Sequence, residues 1–398
     1  TMKIFLLTGD DAKHQQKQHE VLIESSDDVY ETTVQQTPNR NASCHASRRH
    51  RCDARVVVTI CGLFACLLVL LHFRGIFLSR LSGEEAAQND AWHAFQRFVQ
   101  IYEKTYPSAV ERDRRFSIFA RNLVDLDEER RKQPDVSFDL YPWMDRTTSE
   151  IRSKLFLYVD GDRPMPAKPE GHAPPFDGFD ERVARPAAHS LRDKSTPAKD
   201  QGQCGSCWAF AVVASVETAV AIKKGGAPPR LSEQELVDCD TRNMGCNGGV
   251  RQYAMNFVMR NGLVDEAKYP YVAKRHPECA LTKNDTRVYI TDFRNLAPNE
   301  ETMADWVFKT GPLTFGMNVT KGMYGYRSGI FTPGEHDCQQ GSDGSHALTI
   351  MGYGSEGGKD YWLVKNSWGS FWGDQGFFKL ARGVNSCGMA NNVVAPIL

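Results

Sequence analysis

Residues 200–210 read DQGQCGSCWAF, with two cysteines three positions apart and a glutamine six residues ahead of the second cysteine. This pattern fits four kinds of site: a zinc clip, part of a disulfide framework, a redox dithiol, or a nucleophile with an oxyanion donor. Each kind of site requires different residues elsewhere in the chain. The sequence around and beyond this stretch therefore has to distinguish them.

The residues that follow Cys207 predict a helix. WAFAVVASVETAVAIKKGG is rich in Ala and Val, contains no Pro, and ends in Lys223, Lys224 and Gly225, which is typical of a helix C-terminus. Cys207 then lies at or just inside the helix start, where the helix dipole favours a thiolate. The alternative is that Cys207 forms a disulfide, although only one of Cys204 and Cys207 needs to do so.

A thiol nucleophile needs an imidazole, and His346 is the strongest candidate in the second half of the chain. It stands in GSDGSHALTIMGYG, where a glycine-rich loop leads into an apolar strand pattern, whereas His276 and His336 lie in polar loop contexts. Asn366, in VKNSWGSFWG, follows a strand pattern and can fix the imidazole ring through its amide oxygen. Gln201 can donate from its side-chain amide, together with the Cys207 backbone N–H, to a developing oxyanion.

The other chemical interpretations lack supporting residues. A zinc site would need a second pair of closely spaced ligands, but Cys239 and Cys246 are seven residues apart with no histidine cluster nearby. A redox dithiol would need a small βαβ context, which is absent from the sequence. We therefore expect neither a metal nor another cofactor.

Composition and cysteine use place the catalytic part of the chain in an oxidising compartment. The chain has 398 residues, 41% of them hydrophobic, and a net charge of −1, so nothing indicates a nucleic-acid partner. Seven of the eleven cysteines lie in the second half, which fits three disulfides and one free thiol. Cytosolic free thiols are the alternative.

The only long apolar run is VVVTICGLFACLLVLLHF at 56–73, which as a helix would rise about 27 Å, close to the bilayer core. Four arginines precede it and two follow it, which favours a type II signal anchor with a cytosolic N-terminus and a lumenal remainder. An internal cleaved signal is the alternative. Residues 1–55 are rich in Gln, Asp and Ser, and we predict a disordered cytosolic tail.

Residues 90–132 have the apolar spacing of amphipathic helices, and Glu111 stands four residues before Arg115, in position for an ion pair. Residues 159–186 are rich in proline and are predicted to be an exposed linker that contains the activation cleavage. From 187 to 398 the patterns predict two lobes, helical to about residue 275 and rich in short strands beyond it.

Five motifs together resemble the papain and cathepsin family of cysteine peptidases: QGQCGSCWAF, ELVDCD, GCNGGV, SHALTIMGYG and KNSWGSFWGDQGFFKL. The resemblance implies a two-lobed α+β fold for residues 187–398, with a helical left lobe and a β-barrel-like right lobe. It implies Cys207 as nucleophile, His346 as acid and base, Asn366 as the residue that orients the imidazole, and Gln201 as oxyanion donor. It also implies the disulfides Cys204–Cys246, Cys239–Cys279 and Cys338–Cys387.

Residues 90–158 resemble, more loosely, the inhibitory propeptide of the same family. Glu111, Arg115, Phe119 and Asn122 match its long-helix motif, and WMDRTTSE at 143–150 resembles the stretch that ends the propeptide globule. Leu126 replaces Ile, and Arg130, Asp139 and Tyr141 also depart from the usual residues. The resemblance implies that the chain is made as a zymogen inhibited by its own propeptide.

The resemblance also assigns substrate-binding positions. Gly248 and Gly249 match the pair whose backbone holds an extended substrate like an added strand. Arg251, Gly316 and Asn392 fall at the S2 pocket, and Trp368 beside the histidine site. Arg251 is unusual there and predicts a polar S2 pocket that accepts an acidic P2 residue. The alternative is that Arg251 turns outward and leaves an ordinary S2 pocket.

Taken together, these patterns predict a monomeric, membrane-anchored proenzyme of an endopeptidase that acts on peptide and protein substrates. We expect its peptidase domain in the lumen of the secretory and endolysosomal system, with release from the anchor after maturation left open. The sequons at Asn284 and Asn318 are compatible with glycosylation there. The alternative from another class is a catalytically silent relative whose cleft serves only for binding.

Overall fold

In the computed structural model the residues described are 72, 74, 86–155, 175–180, 183–280 and 285–398, without the side chains of 153–155. The tail 1–55, most of the run 56–73, most of the linker and the sequon at Asn284 lie outside these residues. Within the described residues, no helix is both long enough and apolar enough to cross a bilayer.

From residue 187 onward, three α-helices lie before residue 275 and most of the strands lie after it, as the sequence predicts. The helices are α1 (86–101), α2 (Ala109–Lys132), α3 (Thr148–Leu155), α4 (Cys207–Lys224), α5 (Glu233–Cys239), α6 (Arg251–Asn261), α7 (Glu300–Lys309), α8 (Lys321–Gly325) and α9 (Glu335–Gln339). The strands are β1 (Ser137–Phe138), β2 (His189–Ser190), β3 (Asp292–Leu296), β4 (Leu313–Val319), β5 (Tyr326–Ser328), β6 (Ile330–Phe331), β7 (Gly344–Glu356), β8 (Lys359–Lys365), β9 (Phe377–Ala381) and β10 (Val393–Ile397).

The left lobe is built around α4, which is buried along most of its length because its sequence is apolar on every side. Trp208, Val212 and Val216 of this helix pack against α5 and α6. The helix ends as predicted, with Lys223 and Lys224 in the last turn and Gly225 at positive φ. The opposite side of α4 contacts β7, so this helix joins the two lobes.

The right lobe is an eight-stranded sheet in the order β3-β10-β4-β7-β8-β9-β6, with β2 added beside β7. Most of its pairs are antiparallel, and only β6 and β9 run parallel. The long strand β7 pairs with β4, β8 and β2 and is buried from Gly344 to Gly354, apart from the half-buried Ser345. Its position fixes His346 at the edge of the lobe that faces α4.

The segment before the peptidase lobes folds as a separate helical layer and docks on the right lobe. Phe119 is buried in its aromatic core, while Arg115 ion-pairs with Glu111 at 2.7 Å and with Glu150 at 2.9 Å. The Asn122 side chain donates to the carbonyl oxygens of Met144 and Arg146 at 2.9 and 2.8 Å. The long-helix motif therefore braces α2 against the turns that follow it.

Arg130, one of the departures from the propeptide pattern, donates from Nη2 to the carbonyl oxygen of Phe138 at 2.9 Å. This bond ties α2 to β1, which pairs antiparallel with β5 of the right lobe. Leu126 lies against Gly325 of α8, where a Cβ would come within 2.5 Å of the leucine. The departures Arg130 and Leu126 thus take part in the helix-to-strand and helix-to-lobe contacts.

Candidate active site

Cys207 is the first residue of α4, as the sequence predicts. Among the described cysteines it is the only one outside a disulfide, and it is buried. Its neighbour Cys204 is bonded to Cys246, which removes the zinc and redox-dithiol interpretations of this pair. The disulfide holds the loop before the helix in place, so the Cys207 thiol has a fixed position at the interface of the two lobes.

The histidine and asparagine come from two paired strands of the right lobe. His346 stands near the start of β7 and Asn366 follows the end of β8 directly. The imidazole Nε2 and the Asn366 Oδ1 are 2.8 Å apart, and both residues are buried. Trp368 stacks on the imidazole with ring centroids 5.0 Å apart and an angle of 25° between the planes. These two contacts fix the ring plane, and Nδ1 has no hydrogen-bond partner among the described residues.

Gln201 is fully buried, and its amide is held at both ends. Its Oε1 accepts from the Ser367 hydroxyl at 2.6 Å, and its Nε2 donates to the Cys204 carbonyl oxygen at 3.0 Å. The Gln201 backbone N–H also donates to the Ser367 carbonyl oxygen at 2.9 Å. The amide nitrogen is thereby aimed toward the loop that carries the thiol.

Burial shifts the pKa of both Cys207 and His346 in this form of the protein. It raises the pKa of the Cys207 thiol, although the backbone N–H of Ala347, Arg251 and the backbone N–H groups at the helix start act in the opposite direction. It lowers the pKa of His346 to about 4, although the hydrogen bond from the imidazole to the Asn366 amide oxygen acts in the opposite direction. The backbone N–H groups at the helix start lower the thiol pKa, as expected of a helix N-terminus, while burial in this form of the protein acts more strongly in the opposite direction.

Gly248 and Gly249 are required as glycines for two different reasons. Gly248 has φ 106° and ψ 176°, a conformation open essentially only to glycine. A Cβ on Gly249 would lie 2.6 Å from the Trp208 ring and 2.8 Å from the Asn243 side chain. Among the described residues no group bonds to the peptide N–H or C=O of Gly249. Gly249 therefore presents a backbone edge with no strand beside it in the described part of the chain.

The other predicted substrate positions lie close together. Arg251 is 7% exposed and donates from Nη2 to the Asn392 carbonyl oxygen at 2.7 Å. A Cβ on Gly316 would come within 3.1 Å of its Nη1. The Asn392 side-chain oxygen accepts from Gln252 at 2.8 Å. The arginine therefore turns inward, and the alternative in which it points to solvent is wrong.

Trp368 is fully buried because the docked helical segment covers it. Its ring meets Trp143 edge to face with centroids 5.5 Å apart. Trp143 belongs to the WMDRTTSE stretch, so the segment before the peptidase lobes lies directly against a ring that stacks on His346.

Two groups around the site were missed by the sequence interpretation. Ser367 orients Gln201, and Lys199 lies in a buried cluster behind the site with Glu217 at 3.1 Å and Glu233 at 2.8 Å. The available signal for the cluster was Glu217, a charge in the middle of an otherwise apolar helix.

All three disulfides implied by the family resemblance are present, namely Cys204–Cys246, Cys239–Cys279 and Cys338–Cys387. Residues 185–397 match the family model of the papain family cysteine protease, and residues 95–151 match that of the cathepsin propeptide inhibitor domain. The chain belongs to the papain family. It is a cysteine endopeptidase preceded by a cathepsin-type inhibitory propeptide.

Several relatives of this papain-family chain have a similar extent. A viral cathepsin of Adoxophyes honmai nucleopolyhedrovirus is 33% identical over 77% of this chain and 91% of its own length. Pro-cathepsin H of Mus musculus is 32% identical over 76% of this chain and 90% of its own. The solved structure of digestive procathepsin L2 proteinase from Tenebrio molitor larval midgut superposes with a TM-score of 0.68 at 30% identity, covering 77% of this chain and all of that one.

Proposed function

We propose that the chain is the zymogen of an endopeptidase in which Cys207 is the nucleophile, His346 the general acid and base, Asn366 the residue that orients the imidazole, and Gln201 an oxyanion donor. The observation that carries this proposal is the position of Cys207, the single free thiol among the described cysteines. It lies at a helix start and against Ala347, the residue after His346, whose imidazole Nε2 is 2.8 Å from the Asn366 amide oxygen. A triad of nucleophile, base and orienting group needs this arrangement.

In the first half-reaction the Cys207 proton passes to His346 Nδ1, and the sulfur attacks the peptide carbonyl carbon. The new C–S bond pushes electrons onto the carbonyl oxygen, where the Cys207 backbone N–H and the Gln201 amide donate hydrogen bonds. The oxyanion collapses, the C–N bond breaks, and His346 gives its proton to the leaving amine. The product of this step is a thioester with Cys207.

In the second half-reaction a water molecule gives a proton to His346 and attacks the thioester carbon. Collapse of the second tetrahedral intermediate breaks the C–S bond, and the thiolate recovers the proton from His346. The acid product then leaves. Trp368 and Asn366 keep the imidazole plane constant through both steps, so that Nδ1 keeps the same orientation when it accepts a proton and when it gives it up.

The substrate in this proposal lies along Gly248 and Gly249 as an added strand and places a side chain between Arg251, Gly316 and Asn392. Its far side reaches Trp368, which the propeptide covers through Trp143 in the zymogen. Removal of the propeptide exposes this region and gives the Cys207–His346 pair access to water. The proposal therefore links activation to the charge state of the pair, since desolvation is what keeps both groups neutral.

The test uses the activated enzyme, a fluorogenic dipeptide substrate and an epoxide electrophile that labels active-site thiols. The proposal expects turnover and labelling by the wild type and neither by Cys207→Ala. Cys204 serves no such role, since its sulfur is held in a disulfide. Turnover retained in Cys207→Ala removes Cys207 from the mechanism. A wild type that is neither labelled nor active supports the silent binding protein instead.

The proposal also keeps residues 56–73 as a signal anchor that holds a lumenal peptidase domain in the secretory and endolysosomal system. The apolar run and its arginine flank support the anchor, and the three disulfides support a lumenal domain. Carbonate extraction of membranes should leave the full chain in the pellet and release a variant that lacks 56–73. Equal extraction of both proteins contradicts the anchor. The Asn318 side-chain amide donates a hydrogen bond to the Cys338 carbonyl oxygen, and this contact argues against glycosylation at Asn318.

A further inference from the structure

Arg251 is a buried cation without a carboxylate partner. Its Nη2 donates to a neutral carbonyl oxygen, that of Asn392, and its Nε has no hydrogen-bond partner in the described structure. None of the ion pairs formed by the described residues involves Arg251, although it is only 7% exposed. Buried arginines are normally paired, because an isolated ion loses its hydration without compensation.

The position of Arg251 in the fold further disfavours an unpaired positive charge. It is the first residue of α6, where the helix dipole already presents partial positive charge. Burial lowers the pKa of its guanidinium to about 10. Both effects oppose a cation and favour an anion at this place. Among the described residues the fold therefore places no carboxylate beside this positive charge, and the Cys207 thiol is the group that acts on it in the opposite sense.

The guanidinium faces the reacting residues. Gly316 lies beside its Nη1 and pairs in register with Ala347, the residue after His346. Arg251 also acts on the pKa of the Cys207 thiol through its charge. Because Gly316 has no side chain, the guanidinium can lie directly against that strand. The charge therefore lies close to the strand pair that carries His346, and two residues from Gly249, whose peptide groups have no hydrogen-bond partner among the described residues.

We propose that Arg251 is a specificity-determining residue that selects substrates with a carboxylate side chain, Asp or Glu, at the P2 position. This inference rests on the proposed function and names its substrate class. A substrate strand on Gly249 directs one side chain into the space between Arg251, Gly316 and Asn392. A carboxylate there satisfies the free guanidinium, whereas an apolar side chain leaves it buried and unpaired. Asn392 contributes its backbone oxygen, since its side chain is bound to Gln252.

The experiment compares matched substrates that differ only at P2: Glu against Gln, Asp against Asn, and Leu as reference. We expect wild-type kcat/KM to favour Glu over Gln by about tenfold or more, because a charge-assisted hydrogen bond is replaced by a neutral one. Arg251→Met should bring this ratio to one or below, and Arg251→Lys should keep part of it. The matched control is Arg260→Met, on an exposed arginine at the other end of α6, which should leave the ratio unchanged.

Each outcome decides one question. A wild type that cleaves the Gln and Leu substrates with a Glu-to-Gln ratio at or below one overturns the role of Arg251 and leaves the peptidase intact. A wild type that cleaves nothing and escapes epoxide labelling is instead a failure of the proposed function. If Arg251→Met lowers kcat for every substrate equally and keeps the ratio, Arg251 serves the Cys207 thiolate, and the specificity proposal is wrong.

A separate observation concerns the segment just before the peptidase lobes. The Phe176 N–H donates to the Asn295 carbonyl oxygen and its C=O accepts from the Ala297 N–H, both at 2.8 Å, so Phe176 adds a parallel bridge beside β3. Its ring packs edge to face on Trp306 of α7 with centroids 4.8 Å apart. Phe179 packs on the Phe176 ring at 4.9 Å.

The same segment makes polar contacts along α7. Arg185 forms ion pairs with Glu301 and Asp305, and the Thr302 hydroxyl donates to the Asp177 carbonyl oxygen at 3.1 Å. Val183 is buried. These contacts cover one face of α7 with residues that the sequence interpretation placed in the linker.

We infer that residues 175–180 and 183–186 belong to the folded peptidase unit and remain on it after activation. N-terminal sequencing and intact mass of the mature enzyme should then give a chain that begins at or before Phe176. A mature chain that begins after Phe176 contradicts the inference. As a second measurement, Phe176→Ala should lower the Tm of the mature enzyme, whereas Phe371→Ala, at an exposed ring, should not. An equal Tm for Phe176→Ala and wild type also contradicts it.

Discussion

Lys199 and Arg251 are both largely buried cations close to the candidate active site, but their surroundings differ completely. Lys199 lies within 3.1 Å of Glu217, 2.8 Å of Glu233 and 3.5 Å of Glu266. Arg251 has no carboxylate and donates to a backbone carbonyl oxygen. A cation that serves the fold finds its counter-charges within the fold. A cation left without them is more consistent with a charge that a ligand completes.

The Lys199 cluster is self-sufficient in charge. Burial lowers the pKa of Lys199, whereas the neighbouring glutamates raise it. The glutamates together have the larger effect, so the pKa is raised. Burial and the neighbouring Glu217 raise the pKa of Glu233, since one ammonium cannot fully compensate two buried carboxylates. Thr196 donates to Glu217 at 2.6 Å and accepts from Lys365 at 2.9 Å, which ties the cluster to the end of β8 just before Asn366. This arrangement supports the site from behind.

The largest expected effect follows from removing the compensated cation. Lys199→Met leaves Glu217 and Glu233 buried without their ammonium and should lower the free energy of unfolding by about 3–5 kcal/mol. Guanidinium unfolding of the Cys207→Ala proenzyme measures it, in a background that cannot process itself. The control is Lys194→Met, at an exposed lysine, which should change stability by less than about 0.5 kcal/mol. A loss below about 1 kcal/mol for Lys199→Met contradicts the role given to the cluster.

The next effect concerns His346, which, like Arg251, is a buried basic group without a carboxylate partner among the described residues. Because burial lowers its pKa to about 4, against an ordinary value of about 6.5, the unfolded chain binds one proton more between these values. The contribution of His346 to the free energy of unfolding is therefore fully present above about pH 6.5. It decreases as the pH falls toward 4, and the total loss is about 3 kcal/mol. Glu233 acts in the opposite sense, since a raised carboxyl pKa favours the folded state on acidification.

The measurement is the unfolding free energy of the Cys207→Ala proenzyme from pH 7 to 4.5, with and without His346→Gln. We expect the variant to lose less stability on acidification than its parent. Glu233→Gln is the matched variant in the other cluster and should lose more than the parent. Parallel pH curves for all three proteins would show that neither buried group controls the acid response.

The sequence predicted the parts of the site that depend on local pattern. The helix start at Cys207, the strand position of His346, the placement of Asn366 and the disulfides implied by the family resemblance are all found. It could not predict that burial raises the pKa of the Cys207 thiol and lowers that of His346, because desolvation depends on which other segments cover these groups. The packing of Phe176 could not be predicted for the same reason. Its proline-rich surroundings indicate a linker, but its ring packs against Trp306 of a distant helix.

The cation clusters also show where local pattern is insufficient. Lys199, Glu217 and Glu233 are separated by up to 34 residues, and only the fold brings their charges together. Arg251 was predicted to be unusual, yet the sequence left its orientation open. Its inward position depends on the carbonyl oxygen of Asn392, 141 residues away.

The smallest expected effect on stability comes from Arg251→Met, which removes the uncompensated cation and keeps the length of the side chain. Replacing a buried charge by an apolar group of similar volume is often neutral or stabilising. We therefore expect the free energy of unfolding of the Cys207→Ala proenzyme to stay within about 1 kcal/mol or to rise, measured as for Lys199→Met. A loss above about 2 kcal/mol would mean that the Asn392 contact stabilises the fold, and the contrast with Lys199 would disappear. Little effect on stability together with a large change in P2 preference is the combination expected of a residue whose partner is the substrate.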